Sequence, residues 1–321
     1  MSIREETLKI LEENRGADVS GAEIARRLGV SRSAVWKAVS ALKADGHTIL
    51  AGTNRGYCLA AESGALSVPE IQKHLKTPCT LVLKKAVTST NDVAKDLAEE
   101  GAAEWTVVIA REQTAGKGRQ GRQFYSPADT GIYMSIVLRP AFPPAQALLI
   151  TTAAAVAVAQ ALEQLGCPDP AIKWVNDVYS GGKKVCGILT EGAFDFESGR
   201  FRYAVLGIGI NLSAPAGGFP GELRERAGAA FAAGEPLKNR LAAAVIDNFA
   251  RFYAALPEKP HLALYRQRSM LTGKTVLIPG PKGERTAQAL GIDDDFRLLV
   301  ASPDGTREAL SSGEVSVKLF Q

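Results

Sequence analysis

Apolar residues near the start of the chain recur at helical spacing: Ile24, Ala25, Leu28, Val30, Val35, Val39 and Leu42. The pattern predicts a helix over 22–28, a turn at Gly29, an N-cap at Ser31 and a second helix to about Lys43. With those faces packed together, Ser31, Arg32, Ser33, Trp36 and Lys37 form the exposed front of the second helix. Residues 47–60 read as a two-stranded wing with Asn54, Arg55 and Gly56 at its tip. Further on, 105–110 and 132–140 read as strands, 205–212 as a buried strand, and 172–191 as one hairpin turning at Gly181 and Gly182. The alanine-rich run 145–162 carries Gln146 and Gln160, so a buried helix is expected rather than a membrane span. A linker and short helix occupy 62–77, and a long helix 237–255. Four or five short strands follow Gly273, joined by Pro, Gly and Asp turns.

Composition narrows the class. A chain of 321 residues, 46% hydrophobic, has length for two or three domains and material for their cores. The N-terminus is charged and lacks an apolar signal region. Cys58, Cys79, Cys167 and Cys186 show no C-x-x-C pairing or histidine partner at metal spacing, which predicts a reducing cytoplasm and no structural metal. A net charge of +4 says little about partners, but its distribution says more. Between Arg26 and Arg55 lie Arg26, Arg27, Arg32, Lys37, Lys43 and Arg55 against the single acid Asp45. A basic front with a wing attached predicts DNA binding by a helix-turn-helix at 21–40, read by Ser31, Arg32, Ser33, Trp36, Lys37 and Arg55.

The chemistry concentrates in TAGKGRQGRQFYSP, 114–127. Gly116, Gly118 and Gly121 space out Lys117, Arg119 and Arg122 on a backbone that can approach a ligand closely, while the cations supply donors for phosphate or carboxylate oxygens. The spacing matches a dinucleotide fingerprint, yet turn residues and a second strand follow Gly121 where that fingerprint needs a helix. A kinase loop is excluded too, because its partner motifs are missing. The expectation is a basic loop closing over an anion by another plan. Lys173, Asn176, Asp177, Lys183 and Lys184 gather in the 172–191 segment, and Gly207 and Gly209 suggest close approach by a ligand or neighbouring strand. His47, His74 and His261 lie outside every motif, so a histidine-based triad is discounted.

VTSTND at 87–92, the basic loop, KWVND with KKVCGIL, and GIGIN occur in the order and at the spacing of the biotin–protein ligases. Nearly the whole chain resembles the bifunctional form, which is both ligase and biotin operon repressor. The resemblance implies an α+β fold of three domains. These are a winged helix-turn-helix over 1–64, a mixed α/β ligase domain of the class II synthetase kind over 65–270, and a small SH3-like β-barrel over 271–321. It implies ATP, Mg²⁺ and biotin as substrates and required ion, with no tightly bound cofactor or metal ligand set. Biotin carboxyl carrier protein and operator DNA are the implied partners, joined by a ligand-promoted homodimer and no membrane.

The resemblance also implies roles. Ser89, Thr90 and Asn91 hold the ureido ring of biotin with Gln113. Gly116, Lys117, Gly118, Arg119 and Arg122 form the loop over biotin and the adenylate phosphate, and Phe124, Gly187, Gly207, Gly209 and Asn211 line the site with Lys173. Lys184 is the cation at the reacting carboxylate, Asp177 orients the incoming lysine amine, and Asn176 serves the nucleotide phosphates or Mg²⁺. Two departures stand out: Lys117 where the family usually has Arg, which keeps charge but loses the planar fork, and Val175 where it usually has Pro. A transcription factor with a degenerate ligand domain would not need Lys184, Arg119 and Asp177. A lipoate or octanoyl transferase shares the fold but lacks the basic loop and the KWVND segment.

Overall fold

A computed structural model describes residues 2–317 except 53, 54, 62, 196, 235, 281, 282, 312, 314 and 315. The wing residue Asn54 lies outside them. Two units emerge from the packing: Met1–Lys76 with Ala233–Ala243, and Thr77–Ala232 with Ala244–Gln321.

In the first unit, α1 (Ile3–Glu13), α2 (Gly21–Leu28) and α3 (Arg32–Ala44) begin at serines. Ser2, Ser20 and Ser31 each accept a backbone N–H three residues on, satisfying donors the helix cannot. Gly29 ends α2 in the left-handed conformation at φ 64°, which only glycine adopts cheaply. Leu11, Ile24, Val35, Val39 and Leu42 are buried with Ile49 and Leu59 of the wing strands β1 (Ile49–Gly52) and β2 (Gly56–Leu59), which pair antiparallel. The periodicity therefore located this core correctly. A short α4 (Val68–His74) joins through a buried charge: Glu12, 3% exposed, takes hydrogen bonds from Arg15 (2.7–2.9 Å), Ser67 Oγ (3.1 Å) and Lys73 Nζ (3.3 Å). Asn239 completes the tie, accepting from the Ser67 amide and donating to the Ala65 carbonyl.

The second unit is built on a seven-stranded sheet ordered β3-β4-β5-β9-β8-β7-β6. Its strands are β3 (Thr80–Lys84), β4 (Thr106–Ala110), β5 (Gly131–Leu138), β6 (Ala171–Lys173), β7 (Asp177–Ser180), β8 (Lys183–Asp195) and β9 (Arg200–Asn211). Only β3 and β4 pair in parallel. The expected single hairpin over 172–191 is a three-strand meander. The chain turns once at Trp174–Asn176 and again at Gly181–Gly182, because β6 and β7 are too short to form one arm. The helix α5 (Thr90–Glu99) packs Ala94 and Ala98 on Val108, Val137 and Val205. The run expected as a buried helix is α6 (Leu148–Gln164), with Ala153–Ala159 buried all round. Among the described residues one helix, Pro144–Gln164, is long and apolar enough to cross a membrane, but 67% of its most apolar window is buried inside the protein.

After α7 (Leu223–Arg226), α8 (Lys238–Tyr253) and α9 (Leu262–Gln267), five strands form a second, antiparallel sheet ordered β13-β12-β11-β10-β14. They are β10 (Thr275–Gly280), β11 (Gly283–Ile292), β12 (Leu298–Ala301), β13 (Arg307–Leu310) and β14 (Ser316–Val317). The turn between β11 and β12 and helix α9 hold the KWVND turn: Trp174 Nε1 donates to the Phe296 carbonyl at 2.8 Å, and the Tyr265 hydroxyl to the Val175 carbonyl at 3.1 Å.

Candidate functional site

The segments singled out in sequence meet on one face of the large sheet. Gly187 and Gly209 are cross-strand partners in β8 and β9, and the Phe124 ring lies against both. A Cβ on Gly187 would come 3.2 Å from that ring and one on Gly209 2.5 Å, so the paired glycines make the seat. The side chain of Asn91 sits equally close over Gly207, where a Cβ would meet its Oδ1 at 2.2 Å. The close approach expected at GIGIN is made here by side chains of this chain.

The basic loop is folded on itself. Gly118 N donates to the Arg122 carbonyl (2.7 Å) and Phe124 N to the Gly116 carbonyl (2.8 Å), while Lys117 pairs with Gln123. Gly116 has no room for a side chain: its Cβ would stand 2.4 Å from the Phe124 carbonyl. Each cation of the site has a partner. Lys117 Nζ bonds Asp92 Oδ1, and that bond raises the pKa of the ammonium. Arg119 donates to Asn176 Oδ1 at 3.1 Å, and Asn176 Nδ2 donates to the Ile188 carbonyl at 2.8 Å. Lys184 Nζ lies 2.6 Å from Asp177 Oδ1 but off the line of a hydrogen bond, so the contact is between charges. Lys173 stands apart on β6, its ammonium 5.8 Å from the Tyr179 ring centre. Asn211, buried, ends β9 opposite Gly131.

Beside the glycine face a buried polar chain runs under α5. Ser89 occupies the N-cap position, 1% exposed, but its hydroxyl makes no capping bond, so the helix start does not consume it. Gln113 Oε1 accepts from the Thr90 amide (2.8 Å) and Oγ1 (3.1 Å), and its Nε2 donates to Ser126 Oγ (2.8 Å). Asn91 donates to Glu191 Oε2 (2.7 Å), and its Oδ1 lies 2.6 Å from Ser135 Oγ. Burial pushes the Glu191 carboxyl up, yet hydrogen bonds from Lys95 and Asn91 outweigh this and hold it below the usual range. Burial raises the nearby Tyr133 phenol to about 12, and its hydroxyl donates to the Pro127 carbonyl. Asp92, Ser126, Ser135 and Glu191 went unmarked in the sequence reading, although Asp92 abuts Ser89–Asn91 and Glu191 closes the apolar run of β8.

In the first unit, Ser31, Arg32, Ser33, Trp36 and Lys37 are all exposed on α3, Trp36 at 60%, and Arg55 is exposed beside the wing. An indole that open on a helix with buried Val35 and Val39 behind it is available to a partner.

Residues 83–211 match the biotin/lipoate A/B protein ligase family, 4–58 an HTH domain, and 272–318 the biotin protein ligase C-terminal domain. The bifunctional ligase/repressor BirA of Bacillus subtilis is 34% identical over 97% of this chain and 98% of its own length. The biotin--[acetyl-CoA-carboxylase] ligase of Mycobacterium tuberculosis is 33% identical over 71% of this chain and 86% of its own. Among solved structures, the Aquifex aeolicus biotin protein ligase in complex with biotin and ATP superposes with a TM-score of 0.58 at 27% identity, covering 74% of this chain and 98% of that one.

Proposed function

This chain belongs to the family of bifunctional biotin ligase/repressors, and from that premise we propose which of its residues carry each activity. The protein is an ATP-dependent biotin–protein ligase that forms biotinoyl-5′-AMP and passes biotin to a lysine of biotin carboxyl carrier protein. It is also a DNA-binding repressor of biotin synthesis genes.

The observation that carries the residue assignment is the pairing of Lys184 with Asp177 and of Arg119 with Asn176 beside the glycine-floored face. Adenylation brings a carboxylate to the α-phosphate of ATP, so two anions must approach. The catalyst required is placed positive charge rather than a nucleophile. Lys184 neutralises the reacting carboxylate and phosphate. Asp177 holds that ammonium in place, and in the second step orients the incoming lysine amine. Asn176, which now accepts from Arg119, would serve the nucleotide phosphates or hold the Mg²⁺ that offsets their charge. Lys117, Gly118, Arg119 and Arg122 close over the adenylate, with Gly116 letting the loop approach and Lys173 adding charge at the rim. Ser89, Thr90 and Asn91 hold the ureido ring together with Gln113, while Phe124, Gly187, Gly207, Gly209 and Asn211 line the site.

The division into 1–64, 65–270 and 271–321 is retained for function, with Ser31, Arg32, Ser33, Trp36, Lys37 and Arg55 reading DNA from the first part. Two recognition helices require two chains, so the repressor acts as a homodimer promoted by the adenylate. A cytoplasmic setting fits both substrates. The deciding experiment is incubation with ATP, Mg²⁺, biotin and a carrier domain, read by mass spectrometry. Carrier modified with biotin supports the reading, and pyrophosphate release with lipoate in place of biotin overturns it.

A further inference from the structure

We infer that Trp36 is a specificity-determining residue of the DNA-reading unit, its indole recognising the C5 methyl of a thymine in the major groove. The inference rests on the reading of α3 as the helix that meets DNA.

The open side chains of α3 form one stripe. Arg32, Ser33, Trp36, Lys37 and Ser40 are exposed, while Val35, Ala38, Val39 and Leu42 are buried behind them. At 3.6 residues per turn, Arg32 and Ser33 lie one turn before Trp36, and Ser40 one turn after it. Trp36 is therefore the middle of the face. It is 60% exposed, and no other large apolar side chain of α3 is open to solvent.

Polar groups flank the indole. Arg32 and Lys37 form no ion pair among the described residues, whereas Arg26 and Arg27 of α2 are both engaged by Glu23. The Ser31 and Ser33 hydroxyls bond each other at 2.8 Å, which leaves one hydroxyl proton between them for a base. A helix lying in the major groove sets the middle of its exposed face over the base edges and its flanks nearer the phosphates. Cations on the flanks suit the polyanion. The indole at the centre has one N–H donor and no acceptor, so an adenine or cytosine amino group opposite it would go unpaired. The thymine C5 methyl is the apolar group that groove displays, and an indole face covers it without stranding a polar atom.

Uracil isolates that methyl, because it keeps the hydrogen-bonding edge of thymine and lacks only the C5 group. The probe is the inverted repeat that the full-length protein selects from random duplexes in the presence of ATP, Mg²⁺ and biotin. Deoxyuridine replaces its thymines one position at a time in both half-sites. At one position the parent should bind about fourfold more weakly per half-site, the effect of one methyl left in water. Trp36→Ala should bind the unmodified repeat about tenfold more weakly and be indifferent to uracil at that position. Trp36→Phe, which keeps an aromatic face, should keep part of the discrimination, and thermal melting of both variants checks their folding.

The inference is overturned if no thymine methyl matters, or if the uracil effect is undiminished in Trp36→Ala. Equal loss by Trp36→Ala on the repeat and on a random duplex gives the indole to the sugar–phosphate backbone and overturns it too. A changed sedimentation coefficient of Trp36→Ala without DNA assigns the face to a second chain, with the same consequence. If the parent selects no repeat at all, the DNA reading of the unit fails, and the methyl contact falls with it.

Discussion

The Phe124 ring rests on Gly209 so closely that a Cβ there would stand 2.5 Å from its edge. Phe124 is tied at its amide to the Gly116 carbonyl, so the ring and the basic loop move together. Gly209→Ala should therefore lift the loop, raising the biotin KM about tenfold at a stability cost of roughly 1–3 kcal/mol. Shortening the ring in the same chain, Phe124→Leu, should recover part of the KM, and steady-state kinetics on the pair checks this.

Lys184→Ala should abolish adenylate formation while the protein stays folded, since one well-placed cation at developing charge is worth ~10²–10³ in rate. Its partner Asp177 is short and fixed in β7, so the loss is of charge and not of strand pairing. Near-normal ATP–pyrophosphate exchange by this variant would remove Lys184 from the site.

Arg119→Gly should loosen the cover over the adenylate, because it cuts the tie to Asn176 Oδ1 while the loop's backbone bonds at Gly118 and Phe124 persist. The expected result is faster escape of the reactive adenylate and biotin on bystander lysines. Dissociation no faster than from the parent, measured by rapid dilution into a carrier-free trap, refutes the retaining role.

His261 is fully buried, and burial lowers its pKa to about 4. Thr152 Oγ1 gives its proton to the Leu148 carbonyl and so accepts from His261 Nε2 at 2.9 Å, while buried Nδ1 has no hydrogen-bond partner among the described residues. A second proton there would be stranded. The unfolded chain binds that proton below about pH 6.5 and the folded one does not, so stability falls as pH drops from about 6.5 toward 4, by roughly 3 kcal/mol. Denaturant titrations at several pH values should show this slope in the parent and its absence in His261→Phe.

Biotinoyl-adenylate should tighten dimerisation and raise operator affinity in parallel, with a coupling of about 1–3 kcal/mol. The expected cause is the charge of the adenylate, which should draw Lys117 off Asp92, and Arg119 off Asn176, toward the ligand. Sedimentation with and without the adenylate decides it, an unchanged monomer–dimer constant ruling the coupling out.

Much of this was legible in the sequence because it is local. The Ser31 cap, Gly29 and the apolar spacing of α2 and α3 are statements about residues four apart, and the structure returns them. The 172–191 segment misled because one turn signal, Gly181–Gly182, was visible, while the other sits at Trp174–Asn176, whose hold comes from Phe296 and Tyr265 far along the chain. Asp92 and Glu191 were illegible for a related reason. A carboxylate on a helix or strand reads as a solvated charge until its partners Lys117, Lys95 and Asn91 are brought beside it.

The DNA-reading unit is written in two places: Met1–Lys76, and Ala233–Ala243 after an intervening stretch that belongs to the other unit. During translation its first segment emerges early, and the contiguous core of α1, α2, α3 and the wing can collect at once. Asn239, which holds Ala65 and Ser67, leaves the ribosome only after roughly ten to thirty seconds more of synthesis. The part of the protein that begins to fold first is thus among the last to be completed, and a nascent chain stalled before residue 239 would carry a formed recognition helix beside a 65–67 segment whose tie has yet to be made.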